Sequence, residues 1–186
     1  MTSDQVTTTL TTERLVLGPW TAEDAQLGLA IFGSSEVTHW LAPAMDPIHD
    51  EAGMLTTLER WAEEDADAEP PVGHWAVRRA HDRVVVGSIT LRRMPPFQED
   101  LELAWQFGPS HWGNGYATES ARAVAAWAFE SSAHELFAVM RPANDRAEKV
   151  ARRLGMQWVG ETDKYYDLRL QVYRLRPTDL VDGIGR

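Results

Sequence analysis

The chain has 186 residues and a mass of 20.9 kDa, with 44% apolar and 25% charged residues, enough for one domain (1–186) with a real core. No apolar run is long enough to cross a bilayer, and Met1-Thr2-Ser3-Asp4 has neither the basic nor the apolar part of a secretory signal, so a cytoplasmic protein without a membrane partner is expected. The lack of cysteine excludes disulfides, thiolate metal sites and cysteine nucleophiles.

The net charge of -10 is uneven. Residues 1–70 hold 14 Asp/Glu against Arg14 and Arg60, a net of -12, while residues 71–186 hold 16 Lys/Arg against 14 Asp/Glu, a net of +2. So acidic a half repels a phosphate backbone, which excludes nucleic acid as its partner. It suits either a solvated helix surface or a cationic acceptor.

In chain order, Glu13–Pro19 reads as a short strand stopped by Gly18-Pro19. Thr21 followed by Glu23 and Asp24 starts a helix that Ala25, Leu27, Leu29, Ile31 and Phe32 carry toward Gly33. Met54, Leu55, Leu58, Trp61 and Ala62 recur at helical spacing and predict a helix from about Asp50 to Ala66. Gly73–Arg79 and Arg83–Leu91 read as a hairpin across Ala80-His81-Asp82, with Gly87 marking a bulge or a close backbone approach.

Leu101–Phe107 alternates, with Leu101, Leu103, Trp105 and Phe107 on one face and Glu102, Ala104 and Gln106 on the other. A helix over Gly115–Ser131, a strand over Leu136–Met140, a helix over Asn144–Leu154 stopped by Gly155, and strands near Trp158–Glu161 and Leu168–Leu175 complete the order. The mixture predicts an α/β domain with a mixed sheet.

The chemistry concentrates between the Leu101 strand and the helix after it, in Trp112-Gly113-Asn114-Gly115-Tyr116-Ala117-Thr118. Two glycines two apart let backbone N–H groups turn inward around an anion, and the helix just after adds free amides and its positive dipole end. Strand, glycine turn and helix together suit a pyrophosphate. The Gly-Lys-Ser/Thr ending of a P-loop is missing, and Thr118 stands where a dinucleotide fingerprint needs its third glycine.

Trp112 to Ala121 resembles the acyl-CoA loop of the GNAT superfamily, in the branch of ribosomal-protein N-terminal acetyltransferases. Glu13-Arg14-Leu15 resembles the opening strand of that branch, Leu101-Glu102-Leu103-Ala104-Trp105 its fourth strand, and Asn144, Val150 and Leu154-Gly155-Met156 its late helix. The likeness covers about residues 12–177. It implies a GNAT-type mixed, splayed sheet flanked by helices on both faces, with acetyl-CoA as co-substrate in the gap between Leu101–Phe107 and Leu136–Met140. Backbone groups of Trp105, Gln106 and Phe107 would then pair with the pantetheine, and the amides of Trp112, Gly113, Asn114, Gly115, Tyr116, Ala117 and Thr118 would hold the pyrophosphate. Asn144 would reach the pantetheine end, and Lys149, Arg152 and Arg153 would serve the adenosine phosphate.

The implied reaction is direct attack of a neutral amine on the thioester, for which a base or water chain must first remove the ammonium proton. Glu102, on the polar face of the fourth strand, is the leading candidate, against a solvent-facing strand glutamate. The usual thiolate acids of the family are replaced by Ala147 and Ala151, which leaves Tyr116, Tyr165, Tyr166 and Tyr173 as alternatives. His39, His74 and His111 compare as bases because imidazole titrates near neutrality. No His/Asp/Glu spacing suggests a metal, and no Gly-x-Ser-x-Gly elbow suggests a serine nucleophile. Among the eight tryptophans, Trp75, Trp105 and Trp127 fall on core positions, while Trp40 and Trp61 suit either packing or a wall of the acceptor pocket. The expected activity is acetyl transfer to a protein N-terminus or a small-molecule amine. A non-catalytic acyl-CoA-binding module, an interaction protein that keeps the fold for packing alone, and a homodimer all remain open.

Overall fold

The computed structural model describes residues 8–41 and 45–180; Met1–Asp4, read above for a leader, lie outside these. The elements are β1 (Leu10–Thr11), β2 (Leu15–Gly18), α1 (Ala25–Phe32), α2 (Ser35–Leu41), α3 (Glu51–Asp67), β3 (Gly73–Arg79), β4 (Val85–Arg93) and β5 (Leu101–Phe107). They continue with α4 (Tyr116–Glu130), β6 (Leu136–Met140), α5 (Asp145–Leu154), β7 (Gln157–Thr162) and β8 (Leu170–Leu175). Among the described residues no helix is long and apolar enough to cross a membrane.

One sheet of eight strands runs in the order β1-β2-β3-β4-β5-β6-β8-β7. Every neighbouring pair is antiparallel except β5 and β6, which are parallel and meet at a single register pair, Glu102 with Phe137. The two strands part beyond that point, so the rest of β5 faces a gap instead of a partner.

The alternation of β5 sets what each sheet face does. Leu103 and Phe107 bury with Trp75, Ile89 and Leu91 against Ala121, Val124, Ala125 and Ala128 of α4. Burying such apolar side chains stabilises the fold by roughly 1.5–3 kcal/mol each. Trp75 also meets Trp127 edge to face, with ring centroids 5.5 Å apart, as core tryptophans should. On the opposite face, α1 and α3 cover β3 and β4 through Trp20, Ile31, Phe32, Leu58, Trp61, Ala76 and Val85.

Thr21 starts the first helical segment as its sequence suggests, its backbone N–H and hydroxyl both donating to Asp24 at 2.9 Å, but the first turn is 3-10 and α1 begins only at Ala25. The second hairpin strand lies two residues later than its apolar run predicts. Arg83 adopts a left-handed φ of 63°, and Asp82 accepts from Arg79 and from the Val84 amide, which extends the turn to Val84. Gly87 lies at the bulge read from it, where the β3–β4 register shifts beside its partner Val77, and the Phe107 ring packs so close that a Cβ there would lie 2.3 Å from it. Gly87→Ala is therefore expected to destabilise the protein by about 1–3 kcal/mol through overpacking, read as a lower urea midpoint at unchanged slope.

Candidate active site

The parting of β5 from β6 opens a cleft whose walls carry Glu102, Trp105, Gln106, Phe107, Trp112, Ala117 and Asn144 from the sequence reading. Gly113, Asn114, Gly115, Tyr116 and Thr118 sit outside the cleft wall, on the turn at its end and the first residues of α4, and Lys149 does not line it either. The backbone of Trp105 and Gln106 runs along the unpaired edge of β5. The Phe107 carbonyl already accepts the Trp112 indole N–H at 2.8 Å, which ties the glycine turn to the end of β5.

Glu102 is buried, at 4% exposure, so the polar face of β5 looks into a cavity and the solvent-facing reading fails. Arg92 Nε donates to its Oε2 at 2.9 Å and the Tyr166 hydroxyl donates to the same oxygen at 2.6 Å. Oε1 has no hydrogen-bond partner among the described residues. An unpaired buried carboxylate costs several kcal/mol, and Arg92 and Tyr166 offset that cost. Burial works against the Arg92 charge, but Glu102 and Tyr166 outweigh it and hold the guanidinium above its usual range. Burial and then the Glu102 charge push the Tyr166 hydroxyl far above the ordinary tyrosine range, so it stays a donor. The arrangement locks one carboxylate oxygen and leaves the other for a ligand.

The glycine turn has the form of an anion cradle. Gly113 and Gly115 both hold left-handed φ values, 79° and 78°, and a Cβ at Gly113 would meet nothing within 4 Å. No side chain caps the first amides of α4, which leaves them open. Glu119, in that first turn, would oppose an anion, but Arg14 neutralises it: Nη2 lies 2.6 Å and Nε 2.7 Å from Oε2. Thr12 and the Arg14 amide donate to Oε1 at 2.6 and 3.0 Å.

Burial raises the Glu119 pKa, but these donors outweigh it and the carboxyl lies below its ordinary 4.5. A depressed folded pKa means stability that is full above the unfolded value and lost as pH falls through the folded one. Glu119→Gln should therefore destabilise by about 1 kcal/mol at neutral pH, a small value because Arg14 is half-exposed. The gap should close as pH falls below 4.5 in parallel denaturation curves of the two proteins.

The basic residues of α5 differ in their surroundings. Arg152 is committed to Glu148, with Nη2–Oε1 at 2.7 Å, and Lys149 is exposed. Arg146 lines the cleft, and its guanidinium carbon lies over Trp112, 3.3 Å from the ring centroid. Its signal was helical spacing: Arg146 stands four residues before Val150, which also lines the cleft. Asn144 caps α5 by accepting from the Ala147 amide at 3.2 Å, which leaves its side-chain NH2 for a ligand.

Of the four tyrosines, Tyr166 alone lines the cleft; Tyr165 donates to Asp100, Tyr116 lies under Arg14, and Tyr173 is buried. Ala147 is on the cleft wall and Ala151 is fully buried, and neither side chain can donate a proton. His74 lies across β5 in a second space, held by Asp65 at 2.7 Å and stacked on Trp61 with centroids 5.1 Å apart. His39 contacts Trp40 edge to face and His111 ends the turn after β5, both off the cleft wall. Trp40 lines the cleft and Trp61 lines the second space while packing on Phe32.

The site is thus an open sheet parted between two parallel strands, with a glycine turn and a helix N-terminus at the end of the gap. The profile of the family described as "Acetyltransferase (GNAT) domain" matches residues 14–157, and the chain belongs to that family. The uncharacterised N-acetyltransferase YoaA of Bacillus subtilis (strain 168) is 25% identical over 158 residues, covering 84% of this chain and 86% of that protein. A GNAT-family acetyltransferase from Bacillus anthracis shares the fold with a TM-score of 0.75 at 19% identity, over 91% of this chain and 98% of that one. RimJ of Mycobacterium smegmatis, solved in complex with CoA-disulfide, shares it with a TM-score of 0.76 at 16% identity, over 97% and 91%. The protein is thus an acetyltransferase of the type that takes its acetyl group from acetyl-CoA.

Proposed function

We propose that the protein transfers the acetyl group of acetyl-CoA to a primary amine by direct attack, the whole chain acting as one domain with Glu102 as the base. The observation that carries this is the Glu102 carboxylate, buried where β5 and β6 part, with Oε2 fixed by Arg92 and Tyr166 and Oε1 unpartnered.

The pantetheine lies along the Trp105–Gln106 edge, and the Asn144 amide reaches its end. The pyrophosphate rests on the amides of Trp112–Thr118, and Arg146, stacked on Trp112, joins Lys149 as a partner for the adenosine phosphate. Acetyl-CoA supplies an activated thioester. Glu102 Oε1 accepts a proton from the incoming ammonium, the freed lone pair forms the N–C bond as the C–S bond breaks, and the extra proton on the new amide nitrogen passes to the departing thiolate. A thiol has an ordinary pKa of about 8.5, so coenzyme A leaves as a thiolate without a strong acid, consistent with alanine at both usual donor positions.

Acetyl-CoA should raise the melting temperature by mass action. With a suitable primary amine, thiol release should match acetylated product one for one. Stabilisation by acetyl-CoA without release across a broad amine panel would instead mark a non-catalytic acyl-CoA-binding module.

A further inference from the structure

The cleft has unlike walls on the two faces of the sheet. Ala117, Asn144, Ala147 and Val150 line it from the α4 and α5 side. Glu102 belongs to the opposite face, where its register partner Phe137 packs with Tyr166 and Leu168. Leu41 packs into the cluster beneath α1 and α3, which puts α2 on this same face. An amine that reaches Glu102 from this side passes between α2 and the loop carrying Tyr166.

The walls of that opening are apolar. Val37 and Trp40 line it from α2, and Leu168 lines it from the loop. Trp40 is half-buried, yet among the described residues it packs against none of the three buried clusters. Among the described residues its ring meets one other ring, His39, edge to face. An indole kept off the core and set on a cleft wall offers a broad apolar surface to a guest. The helix that carries it is fixed in place from across the cleft. Arg141, just after β6, donates from Nη1 to the His39 carbonyl at 2.9 Å. That carbonyl lies in the last turn of α2, where helix carbonyls lack partners of their own and a cation suits the dipole.

The charges of the opening are committed. Arg92 donates to Glu102 at 2.9 Å, and Arg141 is turned to α2. Glu36 is exposed on the rim, where pairing with a second ammonium would contribute little. The opening thus has one open ionic position, Glu102 Oε1, within an apolar surround.

Resting on the transferase reading above, we propose that the acceptor is a small primary amine carrying an aromatic group, with its nitrogen at Glu102 and its ring on Trp40. Trp40 is then the residue that determines specificity. A polyamine or a peptide backbone would set polar groups against Val37, Trp40 and Leu168 and lose their hydration.

The test compares phenethylamine with ethanolamine, which puts a hydroxyl in place of the ring, and with phenylalanine, which adds a carboxylate. In the wild type, kcat/KM should favour phenethylamine over each by about tenfold or more. Trp40→Ala should bring the ratio to ethanolamine down by about tenfold, and Trp40→Phe should keep most of it. Trp40 packs in no buried cluster, so both variants should fold and still gain melting temperature with acetyl-CoA. A wild-type ratio near one, an unchanged ratio in Trp40→Ala, or a preference for phenylalanine or a peptide N-terminus would overturn the inference. If no amine is acetylated, the transferase reading fails by itself. Calorimetry of phenethylamine with the CoA-saturated protein then decides: binding weakened about tenfold by Trp40→Ala supports the aromatic wall, while no binding, or equal binding in both, overturns it.

Discussion

Glu102→Gln is expected to lower kcat by about a hundred- to ten-thousand-fold, the range that a positioned base contributes. Glutamine has the same shape, and its carbonyl oxygen can take the Oε2 place and keep both donors, Arg92 and Tyr166. That puts an NH2 group where Oε1 stood, and an amide nitrogen donates a proton without accepting one. The partly exposed Arg92 would also lose its counter-charge, so some stability should be lost. The diagnostic is therefore the rise in melting temperature on adding acetyl-CoA, which should match the wild type while turnover collapses. An unchanged rate would remove Glu102 from the proton path.

Gly115→Val acts on the donor side. Gly115 holds φ at 78°, where an ordinary L residue pays about 1–2 kcal/mol and a β-branched one more. Valine can relieve that strain only by rotating the turn, and the open amides of α4 would tilt away from the site they share. KM for acetyl-CoA should rise about tenfold or more, with a smaller change in kcat at saturating donor. Gly115→Ala should show a weaker form of the same change. An unaltered KM in the valine variant would place the pyrophosphate elsewhere.

Features that local chemistry determines were legible in the chain. The strict alternation of Leu101–Phe107 specified a strand with two unlike faces, and Gly113, Gly115 and Gly155 stand at left-handed positions that favour glycine. Asn144 reads as a helix start and is the cap of α5. What escaped depends on distant or weak partners. The two residues of β1 carry too little pattern to read, and α2 is seven residues long with a single buried position, Val37.

The burial of Glu102 depends on Tyr166, 64 residues later, and on Arg92 across a strand pairing. Tyr166 stands in a loop with a left-handed φ of 58°, a conformation its own sequence does not announce. The acidic first half is mostly a solvated surface: Glu51, Glu59 and Glu63 are exposed, and so are Asp46 and Asp50. Asp24 differs, being buried and paired with Arg78. Charge counting alone could not separate it from the rest, because its partner stands 54 residues later in β3.

Direct transfer at Glu102 is tested most sharply by loading the protein with radiolabelled acetyl-CoA and adding a primary amine in a single turnover. Before the amine is added, no label should remain on the denatured protein; after it, the label should move to the amine with one thiol released per amide formed. Label retained covalently on the protein, or thiol released without acetylated amine, would contradict direct attack of the amine on the thioester.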